Sequence, residues 1–161
     1  MSPIRIIGAG SPFGQDQLGL KIIDALEDGH YLDRFPASLI SLHRCDRPGA
    51  ALLELFRDAE LVVLIDALSV PDNKKVFVRW VDPRELLVEP VLSSSHNFGI
   101  SEALQLGRVL GELPHRLRIL AIGMAGGRDN CELDHSLYTA IEQALTEEII
   151  STQDKDNHVS L

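Results

Sequence analysis

The stretch ELVVLIDAL, residues 60 to 68, is apolar at consecutive positions, not at alternate ones. A strand built this way must be covered on both faces, which points to a sheet held between two helix layers. Four more segments read as strands: PIRIIGA (3–9), ASLISLH (37–43), KVFVRWV (75–81) and RLRILAIGM (116–124). In KVFVRWV, Val76, Val78 and Trp80 alternate with Phe77, Arg79 and Val81, and Trp80 fits either face. Helical spacing separates the strands. Leu18, Ile22, Ala25 and Leu26 mark a helix over 15–28 that stops at Asp28 and Gly29. PGAALLELFRDA (48–59) has Pro48 near its start. ISEALQLGRVLGEL (100–113) follows Gly99, and SLYTAIEQALTEEIIS (136–151) is the last helix. No crossover helix is legible between 69 and 99, so at least one strand is expected to run antiparallel. The expected architecture is one three-layer α/β/α domain over 1–151, with a central mixed, mostly parallel sheet of about five strands. Residues 152–161, TQDKDNHVSL, are polar and aperiodic, and are expected to form a disordered tail without essential chemistry.

The formal charge of −9 argues against nucleic acid or an anionic membrane as a general partner, since both reward positive charge. No apolar run approaches the ~20 residues of a membrane span, and the start, MSPIRIIGAG, lacks the pattern of a secretory signal. Two cysteines, Cys45 and Cys131, make no disulfide framework, so a reducing cytoplasm is the expected setting.

In sheets of this kind ligands collect at the carboxyl ends of the strands. Three polar residues fall there: Asp16 in the loop after the first strand, Asp66 at the end of LVVLI, and His96 in SSSHNFG before a helix. Each has a local explanation: an acid near a helix start for Asp16, a turn cap for Asp66, a surface loop residue for His96. Together, two carboxylates and an imidazole on one rim suit a borderline divalent ion such as nickel or zinc. The loop GAGSPFGQDQLG (8–19) resembles a phosphate cradle but lacks its chemistry. Gly8-Ala9-Gly10 is followed by Phe13 where a dinucleotide fingerprint needs glycine, and no Gly-Lys-Ser/Thr of a P-loop occurs. No nucleotide cofactor is expected.

Three blocks, GAGSPFGQDQLGLKIIDAL, VVLIDAL and SSSHNFGISEAL, resemble the signature blocks of the nickel-iron hydrogenase maturation endopeptidases. In that family a G-x-G-N-P loop is followed by Gly, two acidic residues and Gly-x-Gly. Here the loop reads Gly10-Ser11-Pro12, then Gly14-Gln15-Asp16 and Gly19. The resemblance implies that Asp16, Asp66 and His96 are metal ligands and that Gly10, Ser11, Gly14 and Gln15 face the substrate. The glycines would let a protein substrate approach the loop backbone closely. The chain departs from the pattern in several places. Gln15 replaces the first acid, Ser11 replaces Asn, the loop is one residue short, and HRCDRPGA stands where a D-G-G-T stretch is usual.

The resemblance also implies the activity: a cytoplasmic hydrolase that removes the C-terminal extension of a hydrogenase large-subunit precursor after nickel insertion. The nickel is carried by the substrate, with zinc or cadmium able to substitute in a crystal. Two other readings stay open. One is a noncatalytic nickel-sensing metallochaperone or docking module for the large subunit; the other is a nucleotide-binding regulator. The nucleophile is not legible. No G-x-S-x-G elbow occurs. His43 with Cys45, and Cys131 with His135, allow a Cys-His nucleophile or a zinc site, whereas a metal-polarised carbonyl attacked by water needs neither.

Overall fold

The computed structural model describes residues 2–10, 17–70, 76–88, 97–125 and 132–158. The chain runs β1 (Ile4–Gly10), α1 (Gln17–Asp28), a 3-10 turn (Tyr31–Arg34), β2 (Ile40–Asp46), α2 (Ala50–Phe56) and β3 (Leu61–Val70). It continues with β4 (Phe77–Val81), α3 (Pro83–Val88), α4 (Asn97–Leu110), β5 (Arg116–Ala125) and α5 (His135–His158). The five strands form one sheet in the order β2-β1-β3-β5-β4. All neighbours are parallel except β4, which pairs antiparallel with β5. The mixed sheet expected from the sequence is therefore the one observed.

Strand alternation sorts the core into two layers. Ile4 and Ile6 of β1, with Leu61, Val63 and Ile65 of β3, face α1 and α5. Ile7 and Ala9, with Val62 and Leu64, face α2 and α4. Both sets are buried, which is why the β3 sequence is apolar throughout. Helix α1 lies close on β1. A Cβ on Gly19 would overlap the Ala9 carbonyl oxygen, and one on Gly8 would overlap the Gly19 carbonyl. Two of the glycines that suggested a phosphate cradle thus let a helix cross a strand at backbone contact.

Several boundaries differ from expectation. The second strand is Ile40–Asp46, not 37–43, because Pro36 to Leu39 form a turn. The Leu39 amide donates to the Pro36 carbonyl at 3.2 Å, and Ser38 has φ 67°. The helix expected over 48–59 is only Ala50–Phe56, since Gly49 is its extended N-cap and Asp58 takes φ 59°. Helix α3 was not legible, although Asp82-Pro83 is an N-cap followed by a first-turn proline. The Asp82 carboxylate accepts from the Arg84 amide at 2.9 Å.

The expected disordered tail is the largest correction. Helix α5 continues to His158, and only 159–161 lie outside the described residues. Leu137, Ile141, Leu145 and Ile149 recur every four residues and are buried, and Thr152 carries that stripe one turn further. The Thr152 hydroxyl donates to the Glu148 carbonyl at 2.9 Å, so its polar group is satisfied inside the helix. At the other end, the Asp134 carboxylate accepts from the Leu137 amide at 2.7 Å, as an N-cap does.

Candidate functional site

The connection from β1 leads through α1 to β2 on one side of β1, and the connection from β2 leads through α2 to β3 on the other. The strand order therefore reverses between β1 and β3. The crevice beyond the carboxyl ends of these two strands is the place where an open α/β sheet binds its ligand.

Asp66 lies on β3 at the level of this crevice. It pairs in register with Ala121 of β5, and continuing the β1–β3 register one step beyond Gly8 and Ile65 puts it beside Ala9. The strand expected over 60–68 runs two residues further, to Val70, paired with Ala125, so Asp66 lies within it. Asp66 shares the parity of Val62 and Leu64, so it stands on the α2 and α4 face. It is 6% exposed, among the very few buried charged residues. A carboxylate so placed costs free energy unless it is partnered or used.

Backbone contacts tie the carboxyl ends of β1 and β2 to the start of α4. The Arg47 amide donates to the Gly10 carbonyl at 2.7 Å, extending the β1–β2 ladder by one bond. Arg47 itself has φ 52°, a left-handed conformation that turns the chain out of β2. The next residue, Pro48, lies against α4: a Cβ on Gly99 would overlap the Pro48 carbonyl oxygen. The start of α4 is thereby held beside the loop that leaves β2. Of the expected ligands, Asp66 is described. His96 immediately precedes α4, Asp16 immediately precedes α1, and both fall outside the described residues. Of the expected substrate-facing residues, Gly10 closes β1, and Ser11, Gly14 and Gln15 also fall outside them. Among the described residues no three His, Cys, Asp or Glu side chains gather into a metal site.

The alternative nucleophile is disfavoured. His43 and Cys45 do lie on one face of β2, with Cys45 in the core layer of α2. The His43 Nε2 is bonded to the Ser41 hydroxyl at 2.8 Å, however, and not to the thiol. Burial pushes the Cys45 thiol up, and the Asp46 carboxylate adds to this, so the thiolate is suppressed. Burial and the Arg5 guanidinium hold His43 below its ordinary value. Cys131 falls outside the described residues, and its spacing partner His135 opens α5. Sequence reasoning missed the Arg47–Gly10 bond and the Pro48–Gly99 contact. Both are backbone contacts between distant segments, for which side-chain patterns carry no signal.

No protein-family model matches the chain, and no curated protein matches it by sequence. Solved structures do match. One is an endopeptidase from Escherichia coli, with TM-score 0.67 at 18% identity over 96% of this chain and 94% of that one. Another is the hydrogenase maturating endopeptidase HybD from Escherichia coli, with TM-score 0.59 at 19% identity over 96% and 94%. A third is the [NiFe] hydrogenase maturation protease HybD from Thermococcus kodakarensis, with TM-score 0.57 at 19% identity over 96% and 98%. Over nearly its whole length, this chain has the fold of hydrogenase maturation endopeptidases.

Proposed function

We propose that this protein is an endopeptidase that removes the C-terminal extension of a nickel-iron hydrogenase large-subunit precursor. Cleavage follows nickel insertion, and the nickel in the precursor is the recognition signal. The observation that carries this reading is the buried Asp66 carboxylate on β3, at the crevice where the strand order reverses. The shared fold and the three sequence blocks agree with it.

In this reading Asp16, Asp66 and His96 take hold of the precursor's nickel, a donor set of two carboxylates and one imidazole that suits such an ion. Zinc or cadmium would bind the same donors. Gly10, Ser11, Gly14 and Gln15 line the approach of the peptide backbone. The ion would polarise the scissile carbonyl for attack by water, whose proton passes to the departing amine. The products are the mature subunit and a short peptide. No helix among the described residues is long and apolar enough to cross a membrane.

The test is incubation with nickel-loaded precursor followed by intact mass measurement. Peptidase activity predicts loss of the mass of the extension, and no loss from nickel-free precursor. Tight binding with unchanged precursor mass would make the protein a docking module instead.

A further inference from the structure

Among the described residues the outer edge of β2 is unpaired and regular, and it ends level with the candidate site. Its orientation follows from two bonds at its ends. The Ile4 amide donates to the Leu39 carbonyl at 3.2 Å, and the Arg47 amide donates to the Gly10 carbonyl at 2.7 Å. The register between them is unbroken from Ile4 with Ile40 to Gly10 with Asp46. In a parallel ladder each residue bonds the two neighbours of its partner. The Leu39 carbonyl, the backbone groups of Ser41, His43 and Cys45, and the Arg47 amide therefore turn toward β1. Those of Ile40, Leu42, Arg44 and Asp46 turn outward, and among the described residues they have no hydrogen-bond partner.

Natural sheets usually blunt such an edge with proline, a bulge or a short strand. Strand β2 has none of these in its seven residues. Its one outward cation, Arg44, is drawn aside onto α1 by Asp24 and Glu27. The edge ends at Asp46, which pairs with the last residue of β1 at the crevice. The opposite edge strand, β4, has five residues and presents at most three outward positions.

Given the peptidase reading above, we propose that this edge captures the downstream part of the precursor's extension as a sixth strand. A peptide leaving the crevice meets Asp46 first and runs toward Ile40, so the added strand is antiparallel to β2. Strands lie about 4.8 Å apart, so the new strand would stand about 14 Å from β3, three spacings away. Roughly four extended residues cover that distance. The docked strand therefore begins about four residues after the scissile bond, and main-chain bonds hold it with little demand on its side chains.

Amide hydrogen exchange on the full chain tests this, with and without a synthetic peptide. The peptide carries the C-terminal extension of the nickel-iron hydrogenase large subunit from the same organism. The amides of Ile40, Leu42, Arg44 and Asp46 should gain at least about tenfold protection. Those of Ser41, His43 and Cys45, already bonded to β1, should not change. A second arm compares Arg44→Pro, which removes an outward N–H that the fold does not use, with Arg44→Ala, which removes only the ion pairs. Relative to Arg44→Ala, the proline variant should raise KM for nickel-loaded precursor roughly three- to tenfold at unchanged kcat, the effect of one hydrogen bond. If the parent protein cleaves precursor but the four amides stay unprotected, or protection appears on β4, the edge proposal is overturned and the peptidase reading stands. If the parent does not cleave, the peptidase reading itself is overturned.

Discussion

On the side of the sheet covered by α1 and α5, the buried layer is built from Ile, Leu and Val. Its main polar intrusions are satisfied locally: Tyr31 bonds Thr146 at 2.9 Å, and Thr152 bonds its own helix. On the side covered by α2 and α4, the buried set takes in Arg5, Cys45 and Asp66, and α2 is only seven residues long. Arg5 is accommodated by donating to the Leu55 carbonyl at 2.6 Å. The difference teaches where the molecule spends its stability. A continuous apolar layer tolerates few polar groups, so the first face anchors the domain. The second keeps a carboxylate at the crevice, and the contact of Pro48 with Gly99 there fixes the start of α4.

The comparison breaks most visibly at the anchoring face. Leu145 is fully buried in α5, and Leu145→Ala should cost about 2–5 kcal/mol through the cavity it leaves. Processing well below the melting temperature should stay near the parent rate. Thermal unfolding beside a cleavage assay checks both, and a folded variant that cleaves poorly would show the two faces to be coupled. Gly19→Ala should cost about 1–3 kcal/mol, because the new methyl meets the Ala9 carbonyl and α1 must shift off β1. An unchanged melting temperature would mean that the close crossing carries no energetic weight.

Deleting residues 152–161 sharpens the contrast at smaller scale. The deletion removes buried Thr152 and the last turns of α5, at a cost of about 1 kcal/mol, and should leave cleavage intact. Lost cleavage at unchanged stability would place substrate contacts on the helix end. The smallest effect belongs to the other face. His43 titrates below its ordinary value in the folded state, so below pH ~6.5 the unfolded chain binds protons more readily. Stability should therefore fall as pH is lowered through that region, and His43→Gln should flatten the dependence. Urea unfolding midpoints at several pH values decide this, and identical slopes for parent and variant would remove His43 from the account.

The apolar periods made the sheet and its layers legible. Consecutive burial in β3 and the spacing of α1 both survive in the structure. The tail was misread because Gln153, Asp154 and Lys155 hide the weaker signal of Thr152, whose hydroxyl is satisfied within the helix. The start of β2 was misread because Ala37 to Leu39 look like strand while Ser38 adopts a turn conformation. Asp66 stood out because a carboxylate interrupts an apolar strand. The loop that meets Gly10 through Arg47 and Gly99 through Pro48 did not, since its contacts are made by the backbone.

The central claim is that the second face keeps Asp66 for chemistry and not for folding. Asp66→Asn preserves shape and removes the charge. The decisive measurement is the rate of extension removal from nickel-loaded precursor by this variant, with its melting temperature taken in parallel. The account predicts a variant that still folds cooperatively, with a melting temperature near the parent's, since Asn keeps the shape of the side chain. It also predicts a rate at least about tenfold lower, the scale seen even for groups one step removed from a metal. A variant that melts normally and cleaves at the parent rate would contradict it.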